Sequence, residues 1–501
     1  PWGARRFTAF ETERLLPTDN AHPWAARYDW RPWRDRPAVT WVRPSVSTRW
    51  NSSFPLGDSD GAVWAGKGGT VAAQGGVAWR NDRVAITVAP TAFVTENRAF
   101  PLLPSGSANN PWLNEAVGNV IDLPQRFGSA AYGRFDPGQS TAEVNGLGLT
   151  LGVGSANDAW GPGQRYAPIL SANAAGIPGI RFGTAAPVSL GLIKVHGRFL
   201  WGQASESRYF TAPPKEPEPL NGFYYRPRRF ISSFVGVVQP VGLEEIELGV
   251  VRFTHAPWPD AGLSTRFFTR PFGNPIKTLV GSRNGVAGGD QFFDGDNQIA
   301  SVFARWVLPR SGLEVYAEYG KEDYLWDWRY IGVSPDEQTA QLWGLRKVFE
   351  RQDGRLLVFR AEALNYQQKN VDRVRGGSAW YVHSRGTPQG HTLFGQLRGA
   401  PLTAARGAGA EAALDMYRPD GRTTVSWRRD IQRQSGAAGP GGTRNPVGTE
   451  SRHLLTAERL WFRGRYDVLL GATAAVSVNR YLRAADQGGA SLYTAITVAL
   501  P

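Results

Sequence analysis

The sequence predicts an all-β fold, a transmembrane antiparallel β-barrel of roughly 16–20 strands with long extracellular loops and short periplasmic turns. Three observations predict it. Apolar and polar residues alternate with period two from one end of the chain to the other. Tight turns take turns with long links. Aromatic residues are abundant (Trp 19, Tyr 16, Phe 24) in a chain whose mean hydropathy is only −0.33.

The alternation is clearest from Ile299 to Tyr319. Ala300, Val302, Ala304, Trp306 and Leu308 share one face, with Ser301 and Arg305 on the other. Pro309-Arg310-Ser311-Gly312 turns the chain. It returns with Leu313, Val315, Ala317 and Tyr319 against Glu314, Tyr316 and Glu318. Each arm approaches the roughly 9–11 residues that a tilted strand needs to cross a bilayer. The same unit recurs around Asn81-Asp82, Arg351-Gln352-Asp353-Gly354, Arg418-Pro419-Asp420-Gly421 and Phe462-Arg463-Gly464-Arg465. Asn, Asp and Gly suit such turns because they accept positive φ or bond their own backbone.

Between these hairpins run long links near 255–297, 320–337, 365–409, 431–450 and 479–489. Short turns on one side and long loops on the other are the asymmetry of an outer-membrane barrel. A propeller would repeat a shared motif every 40–50 residues or so, and no such motif is present. The last arm, Ser491 to Leu500, places Leu492, Thr494, Ile496 and Val498 on a lipid-type face. The chain then ends Leu500-Pro501, whereas many bacterial barrels end in an aromatic residue.

Two stretches break the pattern. Residues 1–35, with Trp24, Trp30 and Trp33 among prolines, read as an irregular N-terminal segment: a plug, a periplasmic cap or an extracellular loop. The barrel is then assigned to 36–501, with an irregular insertion near 95–140 that includes a short helix over Leu113 to Ile121. A start at Pro1 and a single methionine, Met416, suggest a processed chain.

Composition narrows the chemistry. No cysteine is present, which excludes disulfides, thiol catalysis and zinc-thiolate sites. No apolar run approaches the ~18 residues of a membrane helix. Net charge is +13, yet the arginines are scattered and form no basic helix or arm, so nucleic acid is not the expected partner. Dispersed Arg suits acidic polysaccharide and the phosphates of outer-membrane lipid, including lipopolysaccharide, through bidentate contacts. A plain solvated basic surface explains it as well. The G-x-S-x-G elbow, H-E-x-x-H, the Walker loop and a dinucleotide fingerprint after a strand are all missing. No enzyme and no cofactor are expected. Asp290, Asp294 and Asp296 lack the ligand spacing of a calcium loop, so no metal site is assigned.

Three segments resemble the Wzi family of capsule-assembly proteins. The first is Ile121-Asp122-Leu123-Pro124-Gln125-Arg126-Phe127-Gly128, leading to Asp136-Pro137-Gly138-Gln139-Ser140. The second is Asn157-Asp158-Ala159-Trp160-Gly161-Pro162-Gly163-Gln164-Arg165-Tyr166, continuing through Leu170-Ser171-Ala172-Asn173 to Gly179. The third holds Tyr381-Val382-His383, Gln389-Gly390-His391-Thr392 and Gly399-Ala400-Pro401-Leu402. Family members carry a double Trp and a double Asn where Ala159 and Ala172 stand here, so the chain resembles a divergent member. The resemblance implies a barrel of about eighteen strands. It also implies lectin-like, non-catalytic binding of capsular polysaccharide at the surface of the bacterial outer membrane.

On that reading Trp160 offers a flat face to a sugar ring, and Gly161-Pro162-Gly163 fixes where it points. Arg165 and Tyr166 supply charge and hydrogen bonds, and Asn173, His383 and His391 are further carbohydrate-binding candidates. The alternative is that the turn folds into the lumen and fixes the architecture, and that the histidines are ordinary polar residues. Glu314, Glu318 and Arg305 read as polar lumen wall. A porin or substrate channel, and a structural subunit with envelope protein partners, stay open as other functions.

Overall fold

Period-two alternation sorts each strand's side chains onto two faces, and burial in the computed structural model follows that sorting. The structure describes residues 4–6, 22–24, 27, 38–103, 111–113, 121–211, 225–260, 262–273, 296–322, 329, 332, 335, 338–366, 380–382, 387–402, 407–434 and 449–499. Eighteen antiparallel strands close into one barrel. The first nine are β1 (Val39–Asn51), β2 (Gly68–Arg80), β3 (Val84–Val88 and Thr91–Thr95), β4 (Tyr132–Asp136 and Thr141–Gly146), β5 (Leu149–Gly154), β6 (Gly179–Thr184 and Val188–Leu190), β7 (Ile193–Ser205), β8 (Arg228–Pro240) and β9 (Ile246–Pro257). The rest are β10 (Asn297–Leu308), β11 (Leu313–Glu322), β12 (Thr339–Glu350), β13 (Leu356–Asn365), β14 (Ala408–Arg418), β15 (Gly421–Gln434), β16 (Thr449–Arg463), β17 (Tyr466–Val478) and β18 (Gln487–Val498). Pairing of Val46 with Ile496 and Trp50 with Leu492 closes the ring between β1 and β18.

The outer face is apolar. Val302, Trp306, Leu470, Val476 and Ile496 stand exposed on it. Trp41, Trp79, Trp306 and Tyr466 gather towards the short-turn end, and Trp50, Phe135 and Trp343 towards the long-loop end. From Trp41 to Trp50 the strand rises roughly 30 Å, which a tilt of about 40° reduces to some 23 Å, close to the apolar band of an outer-membrane barrel. Both tryptophans face outward because a β-bulge lies between them. The register slips between Val42 and Ser45, around Pro44, and switches the parity of β1. Among the described residues no helix is long and apolar enough to cross a membrane.

The inner face is polar and buried, because loops fold back into the barrel. Arg305 on β10 donates from Nε to Glu314 on β11 at 2.6 Å and from Nη1 to Glu247 on β9 at 3.1 Å. Paired in this way, the charges satisfy one another away from water. The connections β5–β6 and β13–β14 enter the lumen. Their residues Trp160, Tyr166, Ile169, Tyr381, Leu393 and Leu397 join wall residues such as Val251 and Leu342 in one apolar cluster.

The stretches that broke the alternation are tied to this frame. Tyr132–Asp136, within the insertion expected over 95–140, is the first half of β4. Residues 114–120, most of the expected short helix, lie outside the described residues, as do Trp30, Trp33, Asp290 and Asp294. Asp296 is paired with Arg270 at 2.7 Å. From the N-terminal segment, Ala4–Arg6 pairs antiparallel with Asp158–Trp160 inside the lumen. Trp24 packs on Tyr417 and Phe462 at the short-turn rim, where its Nε1 donates to the Arg418 carbonyl at 3.1 Å.

Candidate functional site

The β5–β6 connection holds most of the residues singled out in the sequence, and its path follows from where its backbone groups find partners. Asn157 donates to the Ala174 carbonyl at 2.9 Å and accepts from Gln139 at 2.8 Å, which pins both ends of the loop. Asp158 pairs with Arg181 of β6 at 2.9 Å. Gly161 then turns the chain at φ +89°. A Cβ there would sit 2.3 Å from the Glu318 carboxylate, so only glycine fits. Pro162 and Gly163 complete the buried turn.

Beyond the turn, the backbone is held by an acid from the barrel wall. Glu362 on β13 accepts the N–H groups of Gln164 at 2.7 Å, Arg165 at 2.9 Å and Tyr166 at 2.5 Å. It also accepts the Tyr316 hydroxyl at 2.6 Å. The Tyr316 ring reaches Glu362 by lying across Gly344 of β12, which is paired with both residues; a Cβ on Gly344 would stand 2.1 Å from that ring. Tyr316, Gly344 and Glu362 thus form one cross-strand row that docks the loop.

The side chains after the turn are tied to the neighbouring strands of the same wall, β14 and β15. Arg165 donates from Nε to Glu411 at 2.7 Å and from Nη1 to Asp58. Tyr166 donates to Asp430 at 2.8 Å. Burial, with the Asp430 carboxylate beside it, pushes the Tyr166 phenol well above its ordinary range. Asp58 also pairs with Arg428 at 2.7 Å. Burial raises the Asp58 carboxyl, but Arg428 and Arg165 outweigh it and bring it to about 2.

The 54–60 segment that carries Asp58 divides the remaining space. A cavity of about 260 Å³ lies on its long-loop side, with Phe54, Trp64, Asn173, Arg452 and Arg480 in its lining. Larger cavities of about 410 and 580 Å³ lie on its other side, against the wall.

Residues 59–491 match the family described as capsule assembly protein Wzi. The chain belongs to the Wzi capsule-assembly family. Its barrel is similar to Wzi of Escherichia coli, described as an outer-membrane, carbohydrate-binding β-barrel involved in group 1 capsule assembly. The TM-score is 0.54 at 12% identity, over 92% of this chain and 85% of that one. It is also similar to OprD of Pseudomonas aeruginosa, with TM-score 0.38 and 8% identity over 91% and 92% of the two chains. OccAB4 of Acinetobacter baumannii gives TM-score 0.38 and 10% identity over 93% and 99%. Comparison with curated proteins finds no match.

Several family motif residues of this Wzi-family barrel are more buried than a sugar contact requires. Trp160, Tyr166 and His391 are 1%, 0% and 0% exposed. The Trp160 indole, read from sequence as a platform for a sugar ring, presents no open face, because the turn folds into the lumen and packs there. His391 is equally enclosed. Its Nε2 lies 2.7 Å from the Ile169 carbonyl, which can only accept, so Nε2 carries the proton. Nδ1 faces Arg398 at 3.2 Å, and the ring stacks on Tyr381 with centroids 5.1 Å apart. Burial, then Arg398, hold its pKa well below the ordinary value, so it is a neutral brace between two inward loops. Asn173 joins the same loops, donating to the Leu397 carbonyl at 3.0 Å and accepting from Ser59 N–H at 3.2 Å, but it also faces the long-loop cavity. Arg165 lines the cavity beneath. His383 lies outside the described residues.

The Wzi-family motifs therefore converge from distant parts of the sequence on one lumenal block. What sequence reasoning missed are its counterparts in the wall: Glu362, Glu411, Asp430 and Arg428. Their signal was faint. Each is a charged residue on the inward face of an alternating strand, a feature shared with ordinary lumen wall.

Proposed function

We propose that the chain is an outer-membrane barrel, its long loops facing the cell exterior, that binds and anchors acidic capsular polysaccharide without catalysis. The observation that carries this reading is the filled lumen. The family motifs are spent on packing inward loops against the wall, as in the contact of Glu362 with Gln164, Arg165 and Tyr166. A solute channel has no use for such a block, whereas a surface lectin needs a rigid floor beneath its ligand. The similarity to E. coli Wzi, described as a carbohydrate-binding barrel, supports the same reading.

The ligand lies in the long-loop cavity, where Asn173 offers an amide and Trp64 offers apolar surface. Trp160, Tyr166 and His391 act as braces of that floor, and Arg165 anchors it from beneath. Lipid, lipopolysaccharide included, surrounds the apolar belt; protein partners in the envelope would meet the loops.

The test is single-channel conductance of the purified protein in a planar bilayer, with and without acidic capsule-type polysaccharide. Absence of steady current, together with saturable polysaccharide binding, is the expected result. A steady open current without saturable binding would replace the lectin by a channel.

A further inference from the structure

The long-loop cavity is lined by two arginines that keep buried N–H groups without an acceptor among the described residues. Arg452, at the start of β16, and Arg480, in the β17–β18 connection, both lie over the ring of Phe54, with guanidinium carbons 4.8 and 4.4 Å from its centroid. Phe54 is fully buried, and Arg480 is 7% exposed. Nε of Arg452 and both Nε and Nη1 of Arg480 lack a hydrogen-bond partner among the described residues. Of the contacts around them, Arg480 Nη2 reaches the Tyr481 hydroxyl at 2.8 Å. The nearby Glu450 is already committed, to Ser477 Oγ at 2.9 Å and to Tyr481 N–H at 2.9 Å.

Two like charges on one ring, with buried donors unused, cost free energy unless an anion completes them. The ring's π face offsets part of the charge but accepts none of the N–H groups. The backbone that aims Arg480 is itself held in an unusual conformation. Asn479 and Tyr481, on either side of it, have φ of +54° and +60°. Hydrogen bonds fix that conformation: Asn479 Nδ2 donates to the Thr449 carbonyl at 3.0 Å, and the Tyr481 hydroxyl donates to the Pro101 carbonyl at 2.7 Å. Strain retained by several tethers at a cavity wall is characteristic of a preorganised ligand site.

We propose that Arg452 and Arg480, presented on Phe54, form an oxyanion subsite that takes a carboxylate or a phosphate group. The planar fork of each guanidinium matches either anion. The subsite deepens the polysaccharide-binding reading and rests on it for the larger ligand. The carboxylate would come from an acidic sugar, and the phosphate from a lipopolysaccharide headgroup.

Titration calorimetry on the full chain in detergent tests this with three probes: a glucuronate-containing oligosaccharide, its carboxyl-reduced counterpart, and inorganic phosphate. R452Q and R480Q are compared with the parent protein, their fold checked by thermal unfolding, and R480K keeps the charge while removing the fork. The acidic oligosaccharide should bind about ten- to a hundredfold more weakly to each Gln variant, while the reduced one binds all proteins alike. R480K should fall between the parent and R480Q. Phosphate binding that is tighter than that of the acidic sugar, and is lost in both Gln variants, would also support the subsite and assign it to lipid phosphate. Equal binding of the acidic oligosaccharide and of phosphate by the parent and both folded Gln variants would overturn it. If neither oligosaccharide binds the parent while phosphate still binds and is lost in the variants, the polysaccharide reading fails and the subsite stands.

Discussion

The Glu362 carboxylate accepts the Tyr166 backbone N–H at 2.5 Å across 196 residues of sequence, while its other oxygen holds Gln164 N–H at 2.7 Å. One side chain of β13 thereby satisfies three successive backbone donors of a buried turn. Such donors cannot turn to water, so losing their acceptor carries the full cost of desolvation.

Glu362→Gln should therefore loosen the whole β5–β6 loop. Replacing the carboxylate by an amide removes the charge from these contacts and turns an N–H₂ group towards donors. A loss of about 2–4 kcal/mol is expected. Trypsin reads the change directly, because the bond after Arg165 is sheltered while the loop is docked. Cleavage there in Glu362→Gln, with a lowered thermal midpoint, is the expected result; an unchanged digest would mean that the loop is held by something else.

Asp58 gives a dependence on pH whose sign is fixed. Its folded value of about 2 lies below the ordinary 3.8, because Arg428 and Arg165 outweigh the effect of burial. The stabilisation is full above about pH 4 and disappears as pH falls towards 2, amounting to about 2 kcal/mol. Protection of residues 54–60 from hydrogen exchange, taken relative to the intrinsic rate at each pH, should fall across that window in the parent protein. Asp58→Asn should exchange quickly already at neutral pH and show no such step.

The barrel was legible because closure repeats one signal, the period-two alternation, eighteen times over. The clearest reading came from β10 and β11, where Trp306 and Glu318 separate cleanly onto lipid and lumen faces. Strand β3 was legible from its turn at Asn81-Asp82 although Ala89-Pro90 interrupts it, whereas β4 was hidden where Pro137 and Gly138 split it in two. The site was legible only in part. Family motifs marked Trp160 to Tyr166, but a motif does not say whether a tryptophan meets a sugar or a wall. The partners Glu362 and Asp430 sit on strands of ordinary pattern, and only the closed barrel brings them to the turn.

Gly161 and Gly464 separate backbone strain from crowding. Both have positive φ, +89° and +54°. A Cβ at Gly161 meets the Glu318 carboxylate, whereas at Gly464 nothing lies within 4 Å. Gly464→Ala should cost only the left-handed penalty of about 1 kcal/mol, and Gly161→Ala that penalty plus displacement of Glu318, about 2–4 kcal/mol in all. Thermal midpoints of the two purified variants check the order; equal shifts would show that Glu318 yields without cost.

A charge on the outer face should cost in proportion to depth. Leu470 and Val478 both point outward from β17, at 54% and 39% exposure, but Leu470 lies near the middle of the strand and Val478 at its long-loop end. Arginine at the midplane of such a barrel costs about 2–4 kcal/mol, and near the interface about 0–1 kcal/mol, where its side chain reaches the headgroups. Leu470→Arg should therefore refold into lipid vesicles with markedly lower stability, and Val478→Arg almost as the parent does. In detergent micelles, which have no fixed thickness, the difference should shrink. Equal penalties in vesicles would mean that the apolar belt between the two tryptophan girdles is not the surface that meets lipid.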